Sequence, residues 1–320
     1  MSRTAPVSPL QSGDWIGFAA PAHAVSNERI QRAANFFEEN GYRVRVALNA
    51  SDEAEDKILG KLAGPDAARI ASTNAMFAAP DIKAICCLTG GYGVTRILRD
   101  LNFSALKKHP KVICGFSDIT ALHLGVYRET GLISYHSPNV DSYPLDAATE
   151  SVWLRMLRGE TVNFDEKVSA QFKSNAPTPQ TWRAGKAKGV LIGGNLSLVA
   201  ALAGTPWGVP RDRDVILFLE DVGEFAYRID VMLLQLMQSG AFNRVKGLIL
   251  GQFSKRKVQQ NETPDLLERV LKAFCAQLDI PIVMNFPIGH VRKNFTVAHG
   301  ARVELNTEDV SLRYLDPIYS

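Results

Sequence analysis

The stretch that decides the fold is Ile82-Lys83-Ala84-Ile85-Cys86-Cys87-Leu88, then Thr89-Gly90-Gly91-Tyr92-Gly93, then Val94 onward. Its first seven residues are almost continuously apolar, as in a strand covered on both faces. The glycines break the run, and Val94 to Leu101 resumes with apolar residues at helical spacing. The pattern repeats downstream. Lys111 to Cys114 reads as a strand, Gly115-Phe116-Ser117-Asp118 as a turn and Asp118 to Arg128 as a helix. Upstream, Trp15 to Ala19 and Tyr42 to Val46 read as strands, Asn27 to Glu39 and Asp66 to Ala78 as helices. Leu132 to Tyr135 adds a strand and Thr149 to Leu157 a helix. Alternating units of this length imply a mostly parallel sheet with helices on both faces, an α/β fold of Rossmann-like type.

From Lys167 to Lys188 the periodicity stops, and Ser, Asn, Thr, Pro and Lys dominate. That composition predicts a linker. Strand and helix signals then return: Gly189 to Ile192, a small-residue helix from Gly193-Gly194-Asn195, Val215 to Leu219, and an amphipathic helix through Ile229, Met232, Leu233 and Leu236. Leu248 to Leu250 and Ile282 to Met284 follow as strands around a helix from Asp265 to Leu278, and Thr296 to Tyr314 reads as small β structure. The expected organisation is a loose tail over 1–12, a Rossmann-like domain over 13–165, a linker over 166–188 and a smaller α/β domain over 189–320.

A net charge of +3 on 320 residues, with basic residues scattered, argues against nucleic acid as a partner. The 46% hydrophobic content fills a core, but no apolar run approaches the roughly 20 residues of a membrane span. The first twelve residues lack the apolar stretch of a secretion signal, so the expected location is the cytoplasm. Cys86, Cys87, Cys114 and Cys275 have no metal-type spacing, nor do the histidines, and no metal or cofactor is expected.

Ser117 lies between a strand end and a helix start, where open α/β sheets bind ligands. The Asp118 amide is then a first-turn donor able to hold an oxyanion. The same pattern fits a helix N-cap, and Ile119 stands where the elbow of α/β-hydrolases carries its second glycine. The loop at Gly90-Gly91 reads either as a weak phosphate cradle or as a second oxyanion donor, the Gly91 amide. Glu220 ends an apolar strand beside Asp221, where a carboxylate needs a partner or caps the next helix. His290 closes a loop. Hydroxyl, carboxylate and imidazole together make the set that activates a serine, but spacing alone leaves their meeting open.

At these residues the sequence resembles the LD-carboxypeptidase family of serine peptidases, which includes murein tetrapeptide carboxypeptidases and microcin C self-immunity proteins. The matching pieces are Ile16 to Pro21, Gly90 to Gly93, Ile113 to Asp118, Gly193 to Leu196, Gly204 to Trp207, Leu219 to Asp221 with Glu224, and Gly289-His290 with Asn294. The resemblance implies Ser117 as nucleophile, His290 as base, Glu220 as triad acid, and the Gly91 and Asp118 amides as oxyanion donors. It implies release of D-alanine from a murein tetrapeptide through an acyl-enzyme, with no cofactor, in a homodimer. Family members often carry Arg where Thr89 stands, which alters how a substrate carboxylate would be held. By chemical type, Asn195, Arg228, Arg292 and Lys293 are candidates for gripping that carboxylate and Glu224 for a substrate amine. The alternatives are cleavage of acyl-adenylate analogues, as in the microcin immunity branch, and a non-catalytic ligand-binding protein.

Overall fold

The structure, a computed structural model, describes residues 7–51, 61–254, 256–260 and 262–319. The chain divides into two compact units, one of residues 1–162, 296–300 and 317–320, the other of residues 163–295 and 301–316.

The first unit alternates strand and helix: β1 (Trp15–Ala19), α1 (Asn27–Glu39), β2 (Arg43–Val46), α2 (Asp66–Ala78), β3 (Ile82–Cys87), α3 (Val94–Ile97), α4 (Phe103–Lys108), β4 (Val112–Gly115), α5 (Thr120–Thr130), β5 (Ser134–His136) and α6 (Ala147–Leu157). The five strands pair in parallel in the order β2-β1-β3-β4-β5, and a late antiparallel strand, Val297–His299, closes the β5 edge. The order reverses direction between β1 and β3, and ligands of such sheets bind beyond the carboxyl ends of the strands near that reversal. The glycine loop follows β3 and the Ser117 turn follows β4, side by side at that end. Phe37 packs edge-on against Phe18 at 5.6 Å and Trp153 at 5.4 Å, fixing α1 and α6 to the sheet.

In the second unit, α7 (Glu166–Gln171), β6 (Gln180–Arg183), β7 (Lys186–Asn195), α8 (Leu196–Ala201), β8 (Val215–Val222), α9 (Ala226–Gln238), β9 (Val245–Ser254), α10 (Leu266–Cys275) and β10 (Ile282–Met284) precede β11, the late strand Val297–His299 of the first sheet. β12 (Arg302–Asn306) and β13 (Ser311–Tyr314) follow. The seven strands run β13-β12-β7-β8-β9-β10-β6, with β7 to β10 parallel and the outer strands antiparallel.

Three expectations need correction. The segment 166–188 is not a linker. It carries α7, the edge strand β6 and the start of β7, because an edge strand needs only one hydrogen-bonded neighbour and little apolar patterning. Of the expected tail 1–12, the part from residue 7 on packs down. Val7 and Leu10 are buried, Val7 bridges to Tyr319, and the Leu10 amide donates to Leu157 O at 2.9 Å; residues 1–6 lie outside the described set. The helix expected over Val94 to Leu101 stops at Ile97 and continues as a 3₁₀ turn, Leu98–Asp100. Among the described residues no helix is long and apolar enough to cross a membrane.

Candidate active site

Ser117 has φ +66°, a left-handed conformation that costs a non-glycine residue roughly 1–3 kcal/mol and persists only where surroundings enforce it. Four backbone anchors do so. Gly115 O accepts from the Ser137 amide at 3.1 Å and from His123 Nε2 at 2.8 Å. A carbonyl only accepts, so that nitrogen carries the proton. Asn139 grips the next residue from both sides: its Oδ1 accepts from the Phe116 amide at 3.0 Å and its Nδ2 donates to Phe116 O at 3.5 Å. Burial holds His123 neutral, pushing it down to about 4.

The glycine loop lies against this turn. A Cβ on Gly90 would stand 2.7 Å from Ser117 Cβ and 3.2 Å from the Asp118 amide nitrogen, so no larger residue fits. Gly91, the next residue, is exposed with φ +101°. The Asp118 carboxylate is buried and accepts from the Val94 amide at 2.8 Å. Burial pushes its carboxyl up to about 6, against the opposing pull of that amide and the Arg69 charge. Ahead of the glycines, Thr89 hydrogen-bonds Asp141, whose carboxyl burial raises and whose partner Arg29 stands 3.0 Å away.

In the second unit, successive residues of β8 face opposite sides. Asp221 turns toward α8 and accepts from the Ser197 amide and hydroxyl at 3.0 and 2.8 Å, the Val222 amide at 2.7 Å and Asn195 Nδ2 at 3.1 Å. Asn195 is thus buried and bonded to Asp221. Glu220 points the other way, with no exposed surface, and its Oε2 accepts from His290 Nδ1 at 2.7 Å. The carboxylate fixes the tautomer with the proton on Nδ1, leaving the basic lone pair on Nε2.

The loop that carries His290 is pinned along its length. Gln252 N donates to Ile288 O at 2.9 Å, Gly289 N to Asn294 Oδ1 at 3.0 Å, Ser254 Oγ to His290 O at 2.9 Å and Phe295 N to Pro287 O at 2.7 Å. Phe164, Phe286 and Phe295 cluster at its base. Gly289, at φ +126°, is required there, since a Cβ would stand 2.8 Å from Glu220 Oε2. Of the remaining candidates, Glu224 and Arg228 lie 3.9 Å apart at the start of α9, Arg292 is exposed, and Lys293 donates to Gln171 O at 2.6 Å. A cavity of about 230 Å³ in this unit is lined by Phe172, Pro177, Gln252, Pro287 and Val291 among others, but by neither Glu220 nor His290. Among the described residues, no group of three or more His, Cys, Asp or Glu is arranged to hold a metal ion.

Sequence reasoning missed Asn139, His123 and Ser254. No local pattern announces them, because each acts through a backbone atom brought near by the fold.

Residues 16–137 match the LD-carboxypeptidase N-terminal domain and residues 188–305 the LD-carboxypeptidase C-terminal domain. The chain belongs to the LD-carboxypeptidase family. A relative from Bacillus subtilis, described as a probable murein peptide carboxypeptidase, is 33% identical over 94% of this chain and 91% of its own. The crystal structure of muramoyltetrapeptide carboxypeptidase from Oxalobacter formigenes superposes with a TM-score of 0.77 at 30% identity, over 93% of this chain and 97% of that one. The microcin C7 self immunity protein, solved with aspartyl sulfamoyl adenosine, superposes with a TM-score of 0.84 at 22% identity, over 98% of this chain and 99% of that one, a likeness of fold. As an LD-carboxypeptidase family member the chain is a peptidase with a mixed α/β fold and carboxypeptidase-named relatives.

Proposed function

We propose that this protein is a serine-type LD-carboxypeptidase that releases the terminal D-alanine of murein tetrapeptides in cell-wall recycling. The observation that carries the reading is the buried Glu220 carboxylate bonded at 2.7 Å to His290 Nδ1. An acid enclosed behind an imidazole serves general-base chemistry, since the carboxylate stabilises the imidazolium formed when a proton arrives. The left-handed Ser117, flanked by the glycine loop and the Asp118 amide, supplies the matching nucleophile.

In this reading His290 Nε2 takes the Ser117 proton as Oγ attacks the carbonyl carbon of the diaminopimelate L-centre. The Gly91 and Asp118 amides stabilise the oxyanion. The tetrahedral intermediate collapses, His290 returns the proton to the D-alanine nitrogen, and the C–N bond breaks. Water, activated by the same imidazole, then hydrolyses the ester. Asn195, Glu224, Arg228 and Arg292 remain the candidate substrate contacts. Reading Asn195 as one requires it to reach substrate while bonded to Asp221. Four buried free cysteines suit the reducing cytoplasm, and a homodimer is the assembly proposed.

Incubation with murein tetrapeptide, followed by mass spectrometry, is expected to yield tripeptide and D-alanine. A serine-directed phosphonate is expected to add once, at Ser117. No D-alanine but cleavage of an acyl-sulfamoyl adenosine would move the assignment to the microcin immunity branch. No reaction and no adduct would leave a binding protein.

A further inference from the structure

Two buried charged side chains of the first unit have no part in the reaction just described: the Arg69 guanidinium and the Asp118 carboxylate. Arg69, on α2, has no exposed surface. Its Nη1 donates to Pro21 O at 2.6 Å and to Gly93 O at 2.9 Å. Its Nη2 meets Asp66, which also binds Arg96 at 2.8 Å. The Asp118 carboxylate accepts from the Val94 amide at 2.8 Å. Gly93 O and Val94 N belong to one peptide group. That peptide is therefore held at its oxygen by a cation and at its nitrogen by an anion, each matched to the end of the dipole it faces. Charge-assisted bonds of this kind are stronger than neutral ones, and in a buried setting each polarises the next.

The placement matters because of what lies on either side. Gly91, bearing one oxyanion amide, is two residues before Gly93. Asp118 bears the other amide on its own backbone. The residue that supplies one donor thus holds, through its side chain, the loop that supplies its companion. Oxyanion stabilisation depends on the spacing of such donors, and a displacement of about 1 Å costs on the order of a hundredfold in rate.

We propose that the Asp118 carboxylate and Arg69 are positioning residues that clamp the Gly93–Val94 peptide and so set the distance between the Gly91 and Asp118 amides. The proposal deepens the serine-peptidase reading and rests on it for its catalytic consequence. Lysine does not replace Arg69 here, because a single ammonium lacks the planar fork that reaches the Pro21 and Gly93 carbonyls from one nitrogen and Asp66 from another.

The test compares wild type, Asp118→Asn, Asp118→Ala and Arg69→Lys by amide hydrogen exchange at Val94, by kcat and KM for D-alanine release from murein tetrapeptide, and by melting temperature. Asparagine still offers an oxygen to Val94. It is expected to keep the amide protected and kcat within about tenfold of wild type, whereas alanine exposes the amide to exchange about tenfold faster or more. In Asp118→Ala, kcat is expected to fall about a hundredfold with KM within about threefold. Arg69→Lys is expected to show a smaller change of the same kind, and it carries the test if Asp118→Ala does not fold. An Asp118→Ala protein with wild-type exchange at Val94, or with its loss confined to KM or to melting temperature, overturns the clamp. If wild type releases no D-alanine and takes no phosphonate, the serine-peptidase reading is what fails. Exchange at Val94 still decides the clamp, and unchanged protection in both Asp118→Ala and Arg69→Lys overturns it.

Discussion

At the scale of single residues, the alternation along β8 gives two adjacent acids different partners. Glu220 and Asp221 are neighbours in sequence, yet one backs His290 and the other ties the start of α8. The sequence offered two adjacent acids. The pleat of the strand decides which one meets the imidazole. Glu220→Gln keeps the shape and removes the charge, and its amide can force the wrong tautomer on His290. It is expected to lower kcat on the order of 10³- to 10⁴-fold with little change in KM. Steady-state kinetics on murein tetrapeptide check this, and a loss below about tenfold would contradict the assigned role. Asp221→Asn, by contrast, is expected to change melting temperature more than kcat.

At the scale of elements, turns carry the proposed Ser117 and His290 and strand β8 carries Glu220, and buried polar residues hold the elements that present them. Lys111, at the start of β4, is an example. Its Nζ donates to Met76 O and Phe77 O at 3.0 Å each and to Ala79 O at 2.6 Å. These are carbonyls of the last turn and C-cap of α2, the helix that carries Arg69, and a cation there also meets the negative end of the helix dipole. Lys111→Met leaves those carbonyls unsatisfied and is expected to destabilise the protein by about 2–3 kcal/mol. Faster hydrogen exchange in the last turn of α2 should accompany the loss. Unchanged thermal unfolding would remove Lys111 from the account. In the sequence, Lys111 reads only as the polar edge of an apolar strand.

At the scale of the whole molecule, two buried titratable groups near the Ser117 turn oppose each other in stability. His123 is held at about 4 in the fold against about 6.5 in an unfolded chain. Below pH 6.5 the unfolded chain takes up a proton that the native state refuses. The His123 contribution is therefore present above pH 6.5 and lost as pH falls toward 4, about 3 kcal/mol in all. Asp118 runs the other way. Its carboxyl is raised to about 6 from 3.8, so the native state holds the proton longer and stability falls as pH rises between those values, again by about 3 kcal/mol. Denaturant unfolding from pH 4 to 7 is expected to show opposite changes in slope. Relative to wild type, His123→Gln tilts the profile toward greater stability at low pH and Asp118→Asn toward greater stability at high pH. Parallel profiles would mean that neither shift exists.

The α/β class, the strand–turn–helix placement of Ser117 and the Gly90–Gly93 loop were legible in the chain, because apolar period and glycine breaks are local signals. The sequence also singled out Glu220 and His290 as polar residues at apolar strand and loop ends. It took the folded chain to put Glu220 rather than Asp221 behind His290, Asn139 and His123 on the Ser117 turn, β11 back in the first sheet, and one peptide between Arg69 and Asp118. Those outcomes depend on pairings between residues 8 to 165 positions apart. Long-range pairings of that kind are set by strand register and packing, and neither leaves a periodic trace in the chain.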